Sequence, residues 1–200
     1  MLGVFALAGL VGLYLVFESG WIVLLIGLAA IFSAIAYTGM PFPLSYYGLG
    51  DLFVFLFFGL ASVAGTYFVQ AGRVSPGAWS MSLPVGLIIV GILVVNNLRD
   101  LPTDRLAGKH TLAVLLGRRF AKVEYLTCLL VAFLCLPVFS AFGLLPWGAL
   151  LAWLALPLAG KLTRIVFTQT GRVLNAALAG TGQLALAFSL LFLLGMLLAG

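Results

Sequence analysis

Residues 76–97, PGAWSMSLPVGLIIVGILVVNN, are almost entirely apolar, and residues 98–111, LRDLPTDRLAGKHT, follow them with a dense group of charges. About 20 consecutive apolar residues are enough for a helix to cross the hydrocarbon core of a bilayer. The first stretch therefore predicts a membrane-spanning helix, and the second predicts a polar segment at its end. The charged side chains of that polar segment are Arg99, Asp100, Asp104, Arg105 and Lys109.

The composition of the whole chain is that of a membrane protein. Of its 200 residues 64% are hydrophobic and only 8% are charged, whereas soluble domains carry about 25% charged residues. Apolar runs at about 2–17, 21–39, 51–71, 76–96, 121–142, 145–168 and 174–199 predict seven membrane spans. We therefore expect an all-α polytopic transmembrane bundle that forms one domain over residues 1–200.

The basic residues predict the orientation of the chain. They lie between apolar runs and form no polar stripe, which argues against nucleic acid as a partner. Six of the ten lysines and arginines lie between the end of the fourth predicted span and the first residues of the fifth, and three more lie between the last part of the sixth and the start of the seventh. Since short cytoplasmic loops collect positive residues, we expect both loops and the N-terminus of this chain on the cytoplasmic side of the inner (plasma) membrane, and the C-terminus outside. Trp21, Trp79 and Trp147 would then mark the opposite interface.

Asp100 and Asp104 form a candidate cation site. Carboxylates four residues apart can lie on one face of a helix, and Mg²⁺ prefers oxygen ligands such as carboxylates. Asn96 and Asn97 extend the polar face back into the membrane, where polar groups are costly and usually functional. Pro102 removes one amide donor between the two carboxylates and can break or restart the helix there.

Two interpretations of Asp100 and Asp104 remain open at this point. In the first, they only form ion pairs with neighbouring basic side chains in a solvated loop. In the second, they ligate Mg²⁺ while the basic side chains balance the charge of a bound diphosphate. The asparagine pair at the membrane end of the segment favours the second interpretation. The basic residues concerned are Arg99, Arg105 and Lys109.

Two segments of the chain carry a family resemblance. The stretch from Asn96 to Val114, with Asp100, Asp104 and Lys109, resembles the second Asp-rich motif of the UbiA-type membrane prenyltransferases. Within that family it is most similar to the dihydroxynaphthoate polyprenyltransferases of menaquinone synthesis. An upstream segment is similar to the same subfamily and contains Ala36-Tyr37-Thr38-Gly39, Pro41-Phe42-Pro43, Gly48-Leu49-Gly50-Asp51, Phe57-Phe58-Gly59 and Gly65-Thr66-Tyr67.

The resemblance implies a helical bundle with a central cavity and a Mg²⁺-dependent reaction. A polyprenyl group would pass from its diphosphate to the aromatic acceptor 1,4-dihydroxy-2-naphthoate, which loses its carboxyl group. By this resemblance Asp100 and Asp104 are the catalytic metal ligands, and polyprenyl diphosphate, the acceptor and membrane lipid are the partners. The diphosphate-binding residues would be Asn96, Asn97, Arg99, Arg105 and Lys109, and the acceptor pocket would include Tyr37, Tyr46 and Tyr47.

The sequence departs from the family pattern in two places. It contains no Asn-Asp-x-x-Asp cluster, which is the family's first Asp-rich motif, and Pro41 stands at the lysine position of the family's Tyr-x-x-x-Lys element. The resemblance therefore predicts an N-terminally truncated bundle that begins near the family's third span and is inactive alone.

Several alternatives to this reaction stay open. They are a non-catalytic remnant, a carrier, or a prenyltransferase with another aromatic acceptor. A carrier is disfavoured because no ionisable residue lies at the middle of a predicted span. A CDP-alcohol phosphotransferase is disfavoured because its Asp-Gly-x-x-Ala-Arg element is missing from this sequence.

Overall fold

The computed structural model describes residues 2–38 and 47–199, and for residues 2, 4–6, 34 and 36–38 it describes the backbone alone. Within these residues the chain forms helices and no strand. Helices α3 to α7 are long and apolar enough to cross a membrane, and α1 and α2 contain shorter apolar stretches. The predicted all-α polytopic bundle is therefore confirmed. The helices are α1 Leu2–Ser19, α2 Trp21–Thr38, α3 Gly50–Ala71, α4 Pro76–Leu106, α5 Leu112–Ala141, α6 Trp147–Thr168 and α7 Gly171–Ala199.

The predicted end of the fourth span at about 96 was wrong, because α4 continues to Leu106 and includes most of the charged segment. Pro102 does not break the helix: a proline removes only its own amide donor, and the ladder continues after it with Ala107 N–H donating to Thr103 O at 2.9 Å. Asp100 and Asp104 thus lie one turn apart on a continuous helix.

The predicted start of the fifth span at about 121 was also wrong, because α5 begins at Leu112. Thr111 caps this helix, with its hydroxyl accepting from Val114 N–H at 3.4 Å. Gly117, whose φ is 86°, then kinks α5 near its start and is followed directly by the two arginines of this helix. The earlier start also places Glu124 well inside α5 rather than close to its end.

Helix α4 lies at the centre of the bundle and packs against α3, α5 and α7. Small residues let these helices approach closely, as is usual in membranes: a Cβ built on Gly59 of α3 would stand 2.6 Å from Cα of Gly86 in α4. On the other side, Tyr125 of α5 is fully buried and its hydroxyl bonds Thr181 of α7 at 3.0 Å. The first contact packs α3 closely against α4, and the second joins α5 to α7.

Helix α3 is irregular, because residues Phe55–Ala61 form a π-helical segment within it. Such segments occur frequently at functional sites. Phe53 and Phe57 of this helix stack with their ring centroids 6.0 Å apart. The α1–α2 hairpin packs against the part of α3 that follows the π segment. Its large apolar side chains are mostly exposed, as a lipid-facing surface requires.

Candidate functional site

Arg99 is the centre of a polar cluster at the end of α4. Its Nε and Nη2 donate to the two carboxylate oxygens of Asp100 at 2.7 and 2.5 Å. Nη2 also donates to Asn96 Oδ1 at 2.8 Å, and Nη1 donates to Asn175 Oδ1 at 2.8 Å. This two-pronged pairing with a carboxylate is the strongest geometry available to arginine. We call Asn96, Arg99, Asp100 and Asn175 the Arg99 cluster.

Asp104 forms a second ion pair beside the Arg99 cluster. Its carboxylate is buried, with 9% of the side chain exposed, and lies 3.0 Å from Lys109 Nζ. The backbone closes the same loop, since Lys109 N–H donates to Asp104 O at 3.0 Å. Gly108, at φ 70°, makes the reversal between them possible. The lysine is therefore held over the end of α4 by both its backbone and its charge.

The other predicted site residues differ in their exposure to solvent and in their position. Asn97 is buried on α4, next to the Arg99 cluster, whereas Arg105 is exposed on the last turn of the helix. Tyr47 is 53% exposed and precedes α3. The side chains of Tyr37 and Tyr46 lie outside the described residues.

Sequence reasoning missed Asn175. This residue lies at the start of α7, 76 positions from Arg99, and only the packing of α7 on α4 brings the two together. One signal was present in the sequence, because an asparagine inside an apolar run is costly in a membrane and therefore suggests a polar partner.

An apolar cavity of about 700 Å³ opens close to the Arg99 cluster. Its walls come from α2, α3 and α4, and Leu93 of α4 lies three residues, or about one helical turn, before Asn96. The cavity is therefore adjacent to the polar end of α4. Representative lining residues are Ile26, Ala30, Phe53, Phe57, Phe58 and Leu93.

A second pair of carboxyl groups lies on the α3 and α5 helices. Asp51 of α3 is buried, and Glu124 of α5 is close enough to interact with it electrostatically. Neither makes an ion pair within the described ranges 2–38 and 47–199. Sequence reasoning had no means of pairing them, because they lie on separate helices.

In the part of the chain that the structure describes, no three His, Cys, Asp or Glu side chains come together, and Cys128 and Cys135 are buried free thiols within α5. In the Arg99 cluster, two carboxylate oxygens and two amide oxygens accept hydrogen bonds from one guanidinium cation. Carboxylate and amide oxygens are the types of ligand that Mg²⁺ prefers.

Comparison with known proteins gives a consistent family. Residues 1–179 match the UbiA prenyltransferase family. The chain is 38% identical over 174 residues to the 1,4-dihydroxy-2-naphthoate octaprenyltransferase of Haemophilus influenzae, with 86% of this chain and 56% of that protein covered. Identity to the protein of the same name from Escherichia coli is 39% over 178 residues, which covers 88% of this chain and 58% of the relative.

A third relative extends the match. It is the 1,4-dihydroxy-2-naphthoate octaprenyltransferase of Mycobacterium tuberculosis, 38% identical over 188 residues, with 92% of this chain and 63% of the relative covered. The chain thus spans between 56% and 63% of the length of these three relatives. On this evidence the chain belongs to the UbiA prenyltransferase family.

Proposed function

We propose that this chain supplies the second Asp-rich site and the apolar cavity of a Mg²⁺-dependent prenyltransferase that acts on 1,4-dihydroxy-2-naphthoate. The reaction would be a step of menaquinone synthesis. The observation that carries this proposal is the position of the Arg99 cluster, one helical turn along α4 from a cavity with apolar walls. A polyprenyl diphosphate has the same two parts, a multiply charged head and a long apolar tail.

The charged residues at the end of α4 would bind the diphosphate. Arg99 has a planar guanidinium suited to two oxygens at once, and Lys109 adds a point charge. Asn96 and Asn97 line the same helix with amide donors, and Arg105 adds a further exposed charge at its end. These groups would stabilise the negative charge that grows on the departing diphosphate.

The oxygen donors near Arg99 would hold the metal. Asp100 and Asp104 would be the carboxylate ligands, and the amide oxygen of Asn96 accepts from the same Nη2 of Arg99 that pairs with Asp100. Mg²⁺ bound there would neutralise charge on the diphosphate oxygens as the leaving group departs. One or two carboxylates are a sufficient protein contribution for this ion, which keeps several waters.

The apolar cavity would hold the isoprenoid tail. Among the described residues its polar lining consists of Ser33 of α2 and Ser62 of α3, and the other lining side chains are apolar. Exclusion of water protects the allylic carbocation from hydrolysis until the acceptor captures it. A cavity of this polarity therefore suits both the tail and the reactive carbon next to it.

The bond changes balance without an external oxidant or base. The allylic carbon–oxygen bond breaks and the electron pair leaves with diphosphate. The ring carbon that bears the carboxylate forms the new carbon–carbon bond, and the electron pair of the ring–carboxylate bond restores the aromatic ring as carbon dioxide leaves. The products are the prenylated naphthalenediol, carbon dioxide and diphosphate.

We place the ends of α4 and α6 on the cytoplasmic face. The basic loops after these helices support this orientation, because positive loops are retained in the cytoplasm. Single cysteines at Gly108 and Gly171, in a chain whose Cys128 and Cys135 are replaced by alanine, should both be labelled by an impermeant reagent from the cytoplasmic side. Labelling of the two positions from opposite sides would refute the orientation.

The reaction is tested by direct assay. Membranes containing this chain receive 1,4-dihydroxy-2-naphthoate, a polyprenyl diphosphate and Mg²⁺, and the prenylated product is measured by mass spectrometry. A parallel sample co-expresses the part of the Escherichia coli relative that the match does not cover. Product that depends on this chain and on Mg²⁺ supports the proposal. Absence of product in both samples, with the chain folded in the membrane, would favour a non-catalytic role.

A further inference from the structure

Asp51 is the one side chain for which the described structure shows a buried carboxylate oxygen without any hydrogen-bond partner. Only 9% of the residue is exposed, and its Oδ1 atom is shielded from solvent and accepts no hydrogen bond. Nearly all buried polar atoms in proteins have a partner, so an exception calls for an explanation. One explanation is a ligand group that donates the missing hydrogen bond.

The surroundings of Asp51 hold carboxylate and thiol groups but no cation that is paired with it. Glu124 and Cys128, one turn apart on α5, both interact electrostatically with Asp51. No lysine or arginine forms an ion pair with Asp51 or Glu124 within residues 2–38 and 47–199. A negative ligand group is therefore unfavourable at this position, whereas a neutral hydroxyl donor is favourable.

Asp51 lies about one helical turn before residues of α3 that line the apolar cavity. Val54, three residues later and so on the same side of α3, lines the cavity together with Phe53. The aromatic rings of Phe53 and Phe57 provide flat apolar surfaces in the same region. A planar ring with a hydroxyl group matches these two features, since its face can pack on the rings while its hydroxyl reaches a carboxylate.

We propose that Asp51 binds the aromatic acceptor by accepting a hydrogen bond from one of its ring hydroxyl groups. This inference rests on the proposed function, and it adds a residue that sets the orientation of the acceptor. The ring carboxylate of the acceptor must point away from Asp51 and Glu124, because three carboxylates would otherwise repel one another. The hydroxyl end and the carboxylate end of the acceptor are thus distinguished by charge alone.

The test compares two ligands that differ in their hydroxyl groups. The purified chain in lipid nanodiscs is titrated with 1,4-dihydroxy-2-naphthoate and with 2-naphthoate, which lacks both hydroxyls, by equilibrium dialysis. The variant is Asp51→Asn, which keeps the shape of the side chain. The control is Glu18→Gln, which changes an exposed carboxylate at the end of α1 in the same way.

Asp51→Asn should weaken binding of 1,4-dihydroxy-2-naphthoate by about tenfold, because the hydroxyl then donates to a neutral amide oxygen and the charge-assisted bond is lost. Binding of 2-naphthoate should stay within about twofold, since it makes no such bond. Glu18→Gln should change neither affinity. The variant should also melt at a higher temperature than the parent chain, because a buried carboxylate whose Oδ1 has no hydrogen-bond partner is costly.

The inference is overturned if Asp51→Asn binds 1,4-dihydroxy-2-naphthoate as tightly as the parent chain, or if it loses both naphthoates equally. A lower melting temperature in Asp51→Asn would also contradict it, since that result would make the carboxylate structural. Farnesyl diphosphate binding in Mg²⁺ is measured on the same samples. If the parent chain does not bind farnesyl diphosphate in Mg²⁺, the proposed diphosphate site is refuted. The result for the acceptor is independent of that outcome.

Discussion

The two pairs of carboxylates in this chain differ in their partners. Asp100 and Asp104 lie at the end of α4, and each is paired with a cation, Arg99 or Lys109. Asp51 of α3 and Glu124 of α5 interact electrostatically and make no ion pair among the described residues. Both pairs belong to the same bundle.

The difference between the two pairs indicates different ligands. Asp100 and Asp104 are paired with basic side chains. A metal ion can take the place of the base at the carboxylate, and a phosphate can take the place of the carboxylate at the base. Carboxyl groups without a cation repel anions and need a neutral donor instead. The bundle thus separates the charged head of one substrate from the hydroxyl groups of the other. Substitutions at each site can test this separation.

Replacing a proposed metal ligand should have the largest effect. Asp100→Ala or Asp104→Ala should lower prenyl transfer by about 100-fold or more, the range found when one group that stabilises a developing anion is removed. The measurement is product formation at saturating Mg²⁺ in the assay described above. Thr103→Ala, an exposed change on the same helix, serves as the control and should retain activity. Near-parental turnover in either aspartate variant would remove that residue from the metal site.

Removal of the guanidinium of Arg99 should have the second largest effect. Arg99→Gln loses the charge and the fork that joins Asn96, Asp100 and Asn175. We expect the affinity for farnesyl diphosphate to fall by about tenfold, because a charge-assisted contact is worth about 1.5–3 kcal/mol.

Arg105→Gln provides a matched control for this change. Arg105 is exposed at the same helix end and makes no hydrogen bond to the Arg99 cluster in the described structure, so its loss should reduce affinity by less than about threefold. Equal losses in the two variants would mean that overall positive charge, rather than the geometry of Arg99, binds the diphosphate.

Removal of the side-chain contact between α4 and α7 should have a moderate effect on diphosphate binding. Asn175→Ala removes one acceptor from Arg99 at an exposed position, so the expected weakening of farnesyl diphosphate binding is about threefold. Gln183→Ala, an exposed amide farther along α7, is the comparison and should have no effect. An unchanged affinity in Asn175→Ala would show that Asn175 does not position Arg99.

The smallest effect is expected in the core beneath both sites. Tyr125→Phe removes the buried hydroxyl that bonds Thr181 at 3.0 Å. Hydrogen bonds between helices in membranes contribute about 0.6 kcal/mol on average, so the melting temperature should fall slightly and both ligand affinities should stay unchanged. A selective loss of one ligand would mean that this hydroxyl belongs to a binding site.

Local parts of the site were predictable from the sequence, and tertiary parts were not. Asn96, Arg99 and Asp100 are neighbours on one helix, so their spacing alone places them together. The helices followed from the apolar runs, five of which form helices long enough to cross a bilayer in the part of the chain that the structure describes. The boundaries near the charged segment were missed because a helix tolerates Pro102 and because Thr111 caps α5.

Contacts between distant helices required the fold. Asn175 meets Arg99 only because α7 packs on α4, and the electrostatic interaction between Asp51 and Glu124 joins two separate helices, α3 and α5. Hydropathy gives the number of helices but not which of their faces meet. The apolar cavity could not be predicted for the same reason, since its walls come from three helices.

The most direct measurement is a Mg²⁺ titration of farnesyl diphosphate binding to the chain in nanodiscs, for the parent, Asp100→Asn and Asp51→Asn. The account predicts that Asp100→Asn loses the Mg²⁺-dependent part of the binding, by about tenfold or more. It predicts that Asp51→Asn keeps this part in full. Mg²⁺-dependent binding that survives in Asp100→Asn, or that disappears equally in both variants, would contradict the separation of a metal–diphosphate site from an acceptor site.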